Sequence, residues 1–137
     1  MQIPFFNYSA LHLQEQEKIK PVIKDVLSRG AYILQKDLED FENSLARYCK
    51  VKHAIGVANG TDALWLSLIA AGIGQNDEVI LPSHTYVASP ASIRFVGATP
   101  ILVDCNEDHL IDPDSIKRSI NSKTKAIMPV QLNGRTC

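Results

Sequence analysis

Asn59-Gly60-Thr61-Asp62 brings together the residue types needed to hold an anion. The apolar run His53-Ala54-Ile55-Gly56-Val57-Ala58 precedes it. A helix-like run, Ala63-Leu64-Trp65-Leu66-Ser67-Leu68-Ile69-Ala70, follows. A strand that turns through glycine into a helix leaves the first backbone N–H groups of that helix without partners. Those donors point out of the positive end of the helix dipole, where phosphate is a common occupant. Thr61 adds a hydroxyl beside Gly60 and the Asp62 amide. The spacing therefore predicts a phosphate site, and whatever carries that phosphate decides the function.

Several elements must position this turn. Four short apolar runs read as strands: Ala54 to Ala58, Val79 to Leu81, Ile101 to Val103 and Ala126 to Met128. Helical patterns separate them, from about Asp62 to Ala71, Tyr86 to Phe95 and Pro113 to Ile120. Pro113 suits a first helical position with Asp112 as its cap. Alternating strands and helices imply an α/β fold, a mostly parallel sheet with flanking helices. The runs are continuous rather than alternating, as expected of strands buried on both faces. Two helices come first. Ile19, Val22, Ile23, Val26 and Leu27 share one helical face that Gly30 ends. Pro21 within it predicts a kink or a start. Leu38, Phe41, Leu45 and Tyr48 form a second stripe beside the acidic Asp37, Glu39, Asp40 and Glu42, which read as a solvated face and a favourable helix start. The reading is one domain over 1–137, with 1–30 as an amino-terminal segment and helix.

In open α/β sheets, ligands gather beyond the carboxyl ends of the strands. Those ends carry the Asn59–Asp62 turn, then Pro82-Ser83-His84-Thr85-Tyr86, then Asp104, then Pro129 to Gln131. A phosphate cradle, a ring, hydroxyls and an imidazole meet on one edge. Each member alone has an ordinary role. Gly60 serves any tight turn. Asp62 in a first helical turn is favourable with the dipole by about 0.3–1 kcal/mol. Trp65 reads as core, Tyr86 and His84 as packing and loop residues, and Asp104 as a turn former. His53 falls on the wrong edge. Asn59-Gly60-Thr61 also matches a glycosylation sequon, which a tight strand-to-helix turn disfavours.

Competing chemistries lack their signatures. Gly72-Ile73-Gly74 misses the third glycine of a dinucleotide fingerprint and lies before a strand, not after one. His12, His53, His84 and His109 show no metal-ligand spacing. The formal net charge of -1 lacks the basic excess of a nucleic-acid or anionic-membrane surface. With 45% apolar and 21% charged residues, the composition is that of a globular chain. No apolar run approaches the roughly 20 residues of a membrane span, and Met1 to Phe6 lacks the form of a signal peptide. Cys49, Cys105 and Cys137 fit neither a disulfide framework nor a zinc site, which points to a reducing cytoplasmic setting.

Ordered motifs along the chain resemble the DegT/StrS-type sugar aminotransferases. The carriers are Ala58-Asn59-Gly60-Thr61-Asp62-Ala63-Leu64, Gly72-Ile73-Gly74 through Asp77-Glu78-Val79-Ile80-Leu81-Pro82, Thr85-Tyr86-Val87-Ala88-Ser89, Gly97-Ala98-Thr99-Pro100 and Val103-Asp104. Phe41-Glu42 and Thr124-Lys125-Ala126-Ile127 extend the match, which runs from Ile3 to Gly134. The resemblance implies pyridoxal 5'-phosphate as cofactor and the aspartate-aminotransferase fold, with this chain as the amino-terminal part of its large domain. It implies that Gly60, Thr61 and Asp62 hold the cofactor phosphate and that Tyr86 stacks on the ring, worth roughly 0.5–1.5 kcal/mol beyond burial. His84 is a candidate for facing substrate. The implied reaction moves an amino group from an amino acid, glutamate in the usual case, to a nucleotide-linked keto sugar, in a homodimer when full length.

Gln35, Asn76 and Gln131 depart from the family pattern of glycine, glycine and histidine, and none touches the phosphate turn. The resemblance also implies a Schiff-base lysine and a carboxylate partner of the pyridine nitrogen, both downstream of any position matching Gly134. No catalytic residue is therefore expected in this chain, and Lys117, Lys123 and Lys125 read as solvated. The chain reads as truncated, since a covering helix is expected after its last strand. Alone, it is expected to be inactive. The competing reading is a non-catalytic phosphate-ligand binding module or remnant, which needs the turn and Tyr86 but no lysine.

Overall fold

The computed structural model describes residues 3–137, which divide into two compact units, one ending at Gly56 and one spanning Val57–Cys137. The first unit is helical. Helix α1 spans Tyr8–Arg29, with the Asn7 side chain accepting from the Ala10 N–H at its start. Pro21 lies inside α1, yet the helix is continuous. Gly30 ends it at φ +64°, a left-handed turn that costs glycine little. Helix α2 spans Lys36–Cys49. Arg29 of α1 ties to Asp37 of α2 at 3.0 Å and to Asp25 at 2.8 Å. The hydrogen bonds that the guanidinium donates to Asp37, and then to Asp25, make it hold its proton more tightly.

The second unit carries the sheet. Its order is α3 (Gly60–Ala70), β1 (Glu78–Pro82), α4 (Ala88–Phe95), β2 (Thr99–Val103), α5 (Pro113–Ser119) and β3 (Thr124–Ile127). A single 3-10 turn follows at Leu132–Gly134. The strands pair in parallel in the order β2-β1-β3. The α/β class and the parallel pairing agree with the sequence reading.

β1 is the centre of this unit, and period 2 decides which face each side chain meets. Val79 and Leu81 pack with Leu68 of α3, Ile93 of α4, Ile73 and Ala98. Ile80 points the opposite way, with Val103, Ile111, Ile101 and Ile116 of α5. Val79, Ile80, Leu81 and Ile93 have no exposed surface. Each such side chain contributes about 1.5–3 kcal/mol of burial. A strand buried on both faces must be apolar throughout, which is why the run is continuous.

The helix ends follow the expected chemistry. The Asp112 carboxylate accepts from the N–H groups of Asp114 and Ser115, with Pro113 in the first turn of α5. Gly97 turns the chain after α4 at φ +83°, with the Gln75 backbone 3.6 Å from where a β-carbon would stand. Asn76 takes φ +71° in the turn before β1. That region suits glycine and is tolerated by asparagine.

One expected strand is absent. Residues 53–58 form no ladder, and Ile55 is 80% exposed. A strand exists only through hydrogen bonds to a neighbour, and no described residue pairs with this run. The Gly56 N–H goes instead to the Glu42 carboxylate at 2.6 Å. Pro21 marks no helix start either, since α1 runs through it from Tyr8 to Arg29. A proline removes one helical hydrogen bond, and the remaining turns keep the helix in a single piece.

Both sheet edges stay open. Leu102 sits beside the fully buried Leu81, and Ile127 beside the fully buried Ile80, yet both are exposed. No residue of α1 is buried, so its apolar face is open as well. Apolar surface of this kind favours association. Sedimentation of the isolated chain is expected to show concentration-dependent self-association, and a clean monomer at every concentration contradicts this. Leu81→Ala is expected to cost about 2–5 kcal/mol in urea unfolding. Leu102→Ala should cost less than about 1 kcal/mol, and equal losses contradict the assignment of β1 as the buried centre.

Candidate functional site

Helix α3 reaches β1 through the short turn between Ala71 and Asp77. It therefore returns antiparallel to β1, with its first turn at the carboxyl edge of the sheet. α4 leaves that same edge after β1, and α5 leaves it after β2. α3 and α4 pack against each other. The mouth of α3 and the Ser83–Val87 loop thus share an edge, as the order of elements predicts.

At the mouth of α3, Asn59 is the cap. Its Oδ1 accepts from the Asp62 N–H at 2.9 Å. The Ala63 N–H goes to the Asn59 carbonyl at 3.1 Å. The N–H groups of Gly60 and Thr61 have no acceptor among the described residues. Two amides and the half-buried Thr61 therefore remain for an anion, while the Asp62 amide is already taken by the cap.

The Asp62 carboxylate is engaged at both oxygens. Its Oδ1 accepts from the Trp65 indole N–H at 2.9 Å, and its Oδ2 accepts from the Asn59 amide at 3.2 Å. Trp65 was expected in the core, but it is only half-buried. A buried indole N–H needs an acceptor, and Asp62 supplies one three residues back along the same face. That spacing is readable in the sequence, and the role of Asn59 as a two-sided amide could have been read with it.

Tyr86 sits on the loop before α4, with its ring 78% exposed and its carbonyl accepting from the Ser89 N–H. The Thr85 and Ser89 hydroxyls share a hydrogen bond of 2.8 Å, which fixes the loop onto α4. His84 is exposed, and its ring meets His109 edge to face at 5.5 Å. His109 carries φ +67° on a turn held by the Cys105–Ile111 bridge. Nothing in the spacing of the two histidines announces this pairing.

Asp104 is exposed beyond β2, and its backbone bonds to Asp112 and Ser115. That is a structural turn position. Lys117 pairs with Asp114 at 2.9 Å in solvent, and Lys123 and Lys125 are exposed. No group of three or more His, Cys, Asp or Glu side chains suited to a metal occurs among the described residues. No helix among them is long and apolar enough to cross a membrane.

Residues 13–137 match the DegT/DnrJ/EryC1/StrS aminotransferase family. The chain is 46% identical over 136 residues to dTDP-3-amino-3,6-dideoxy-alpha-D-galactopyranose transaminase of Aneurinibacillus thermoaerophilus, covering 98% of this chain and 38% of that protein. It is 53% identical over 114 residues to GDP-perosamine synthase of Caulobacter vibrioides, covering 82% and 29%. Among solved structures, it superposes on Streptomyces venezuelae DesV in complex with a ketimine intermediate at a TM-score of 0.94 and 42% identity. That match covers 99% of this chain and 37% of DesV. Bacillus subtilis NtdA with bound cofactor PMP superposes at 0.94 with 35% identity, covering 99% and 32%. The chain thus spans less than two-fifths of the length of these relatives. It belongs to the DegT/DnrJ/EryC1/StrS aminotransferase family, whose fold its α/β architecture shares.

Proposed function

We propose that this chain is the amino-terminal part of the large domain of a pyridoxal 5'-phosphate-dependent sugar aminotransferase. In the complete protein, an amino group moves from an amino acid, glutamate in the simplest case, to a keto group on a nucleotide-linked sugar. The complete protein works as a cytoplasmic homodimer. The observation that carries this reading is the pair of unpartnered amides at Gly60 and Thr61, on the same sheet edge as the exposed ring of Tyr86.

The residues fit the cofactor. A phosphate dianion suits two free amides at the positive end of an eleven-residue helix. The Thr61 hydroxyl adds a third donor. The Asp62 amide completes the turn by holding Asn59, and it becomes a further donor when the cap side chain yields. Tyr86 offers a face for a flat heterocycle, and the Thr85–Ser89 bond keeps its loop in place. When bound, pyridoxal phosphate supplies the electron sink that amino transfer needs. His84, backed by His109, stands toward substrate beyond the same edge.

This chain binds and orients, and it holds no group to carry the amino transfer itself. Lys117, Lys123 and Lys125 lie on the α5 and β3 side in solvent. Titration of pyridoxal phosphate into the chain, followed by absorbance, is expected to saturate. Thr61→Val should weaken binding about tenfold, the loss of one hydrogen bond to a charged group. Tyr86→Ala should weaken it about twofold to tenfold. No saturable binding, or binding indifferent to both changes, overturns the site. In the complete protein, borohydride is expected to fix the cofactor to a lysine other than these three. Binding without any such attachment favours the non-catalytic module.

A further inference from the structure

We infer that His109 is a positioning residue for His84, and that Arg135 sets the backbone turn that presents it. The inference rests on the reading of His84 as facing substrate. Three loops contribute, one from the carboxyl end of each strand. His84 follows β1, His109 follows β2 and Arg135 follows β3. The imidazoles of His84 and His109 stand 5.5 Å apart at 88°, an edge-to-face contact. An exposed ring on a loop otherwise pays for ordering when it meets a ligand, and a ring already held in place pays less.

The roots of the two histidine loops are joined. The Ser83 N–H, one residue before His84, donates to the Val103 carbonyl at 2.9 Å. Beyond Val103 the chain folds into a short hairpin closed by the Cys105–Ile111 bridge. The Asn106 N–H donates to the Leu110 carbonyl at 2.9 Å, and buried Leu110 and Ile111 anchor the returning limb. His109 stands at φ +67° in this hairpin. Glycine takes that conformation at little cost, so a histidine there keeps a side chain at the expense of backbone ease. The peptide between Asp108 and His109 is held at both ends. Its carbonyl accepts from Arg135 Nη1 at 3.0 Å, across 27 residues of chain, and its N–H donates to the Asn106 carbonyl at 2.9 Å. The peptide is planar, so these two bonds fix the plane from which the His109 side chain departs.

The test has two arms. The first is NMR of the imidazole ring protons in the chain, with the His84 signals assigned by their loss in His84→Gln. In the unaltered chain they should stand apart from those of the exposed His12 and His53, shifted by the neighbouring ring. His109→Gly removes that ring and relaxes the backbone, and should return the His84 signals to the exposed range. His109→Phe keeps a ring edge to face and should hold them apart. Arg135→Met removes the bond to Asp108 and should move them in the same direction as His109→Gly. Unmoved His84 signals in His109→Gly overturn the inference, and unmoved signals in Arg135→Met overturn the part assigned to Arg135. The second arm is steady-state kinetics of the complete protein on the dTDP- or GDP-linked keto sugar that it turns over. His109→Gly should raise KM about twofold to tenfold, the range of an aromatic edge-to-face pair, with a smaller change in kcat, and His109→Phe should restore it. Adding His109→Gly to His84→Ala should cost nothing further, since one residue acts through the other. Additive losses overturn the positioning role. A KM indifferent to His84→Ala, or turnover of neither sugar, overturns the reading of His84 as substrate-facing, and the ring signals then decide the positioning by themselves.

Discussion

Parallel pairing of β1 with both its neighbours decides where everything else in the second unit can go. Each connection must carry the chain from the carboxyl edge back to the amino edge. α4 and α5 do so after β1 and β2, and α3 enters β1 from the same direction. All three helices therefore begin on one edge, and their positive ends gather there. The Asn59–Asp62 turn and the loop of Tyr86 are assigned to one edge by this rule of chain direction, not by nearness in sequence.

The same pairing explains the apolar balance. β1 is sealed on both faces, with Val79 and Leu81 on one side and Ile80 on the other. Among the described residues β2 and β3 have no strand beyond them, so Leu102 and Ile127 remain open beside fully buried neighbours. A sheet that seals its centre and exposes its margins is consistent with a chain spanning under two-fifths of its relatives' length. α1 tells the same story in the first unit, where an amphipathic face meets no partner among the described residues.

At the candidate site, charge placement matters as much as donor placement. An acid residue in the first turn of a helix read as anion-binding looks like a contradiction when read residue by residue. In the structure both its oxygens are engaged by neighbours three residues away, Asn59 and Trp65.

Local interactions were legible from residue order. Gly30 after the α1 stripe, Asp112 before Pro113, and the continuous apolar runs of β1, β2 and β3 each encode their element within a few residues. The capped turn at the start of α3 was legible for the same reason, since the cap Asn59 and the glycine after it are consecutive. Three features were not. The run at 53–58 has strand composition but no ladder, because a strand is completed by a neighbour that composition does not supply. His84 meets His109 because a bridge between Cys105 and Ile111 folds that loop back over the edge. Trp65 is only half-buried, and its N–H reaches the Asp62 carboxylate. The sequence by itself determined the helices, three strands and the capped turn at Asn59–Asp62, whose forces act within a turn or two of chain. Only the tertiary structure decided which edge these share, because that depends on strands and helices brought together across the fold.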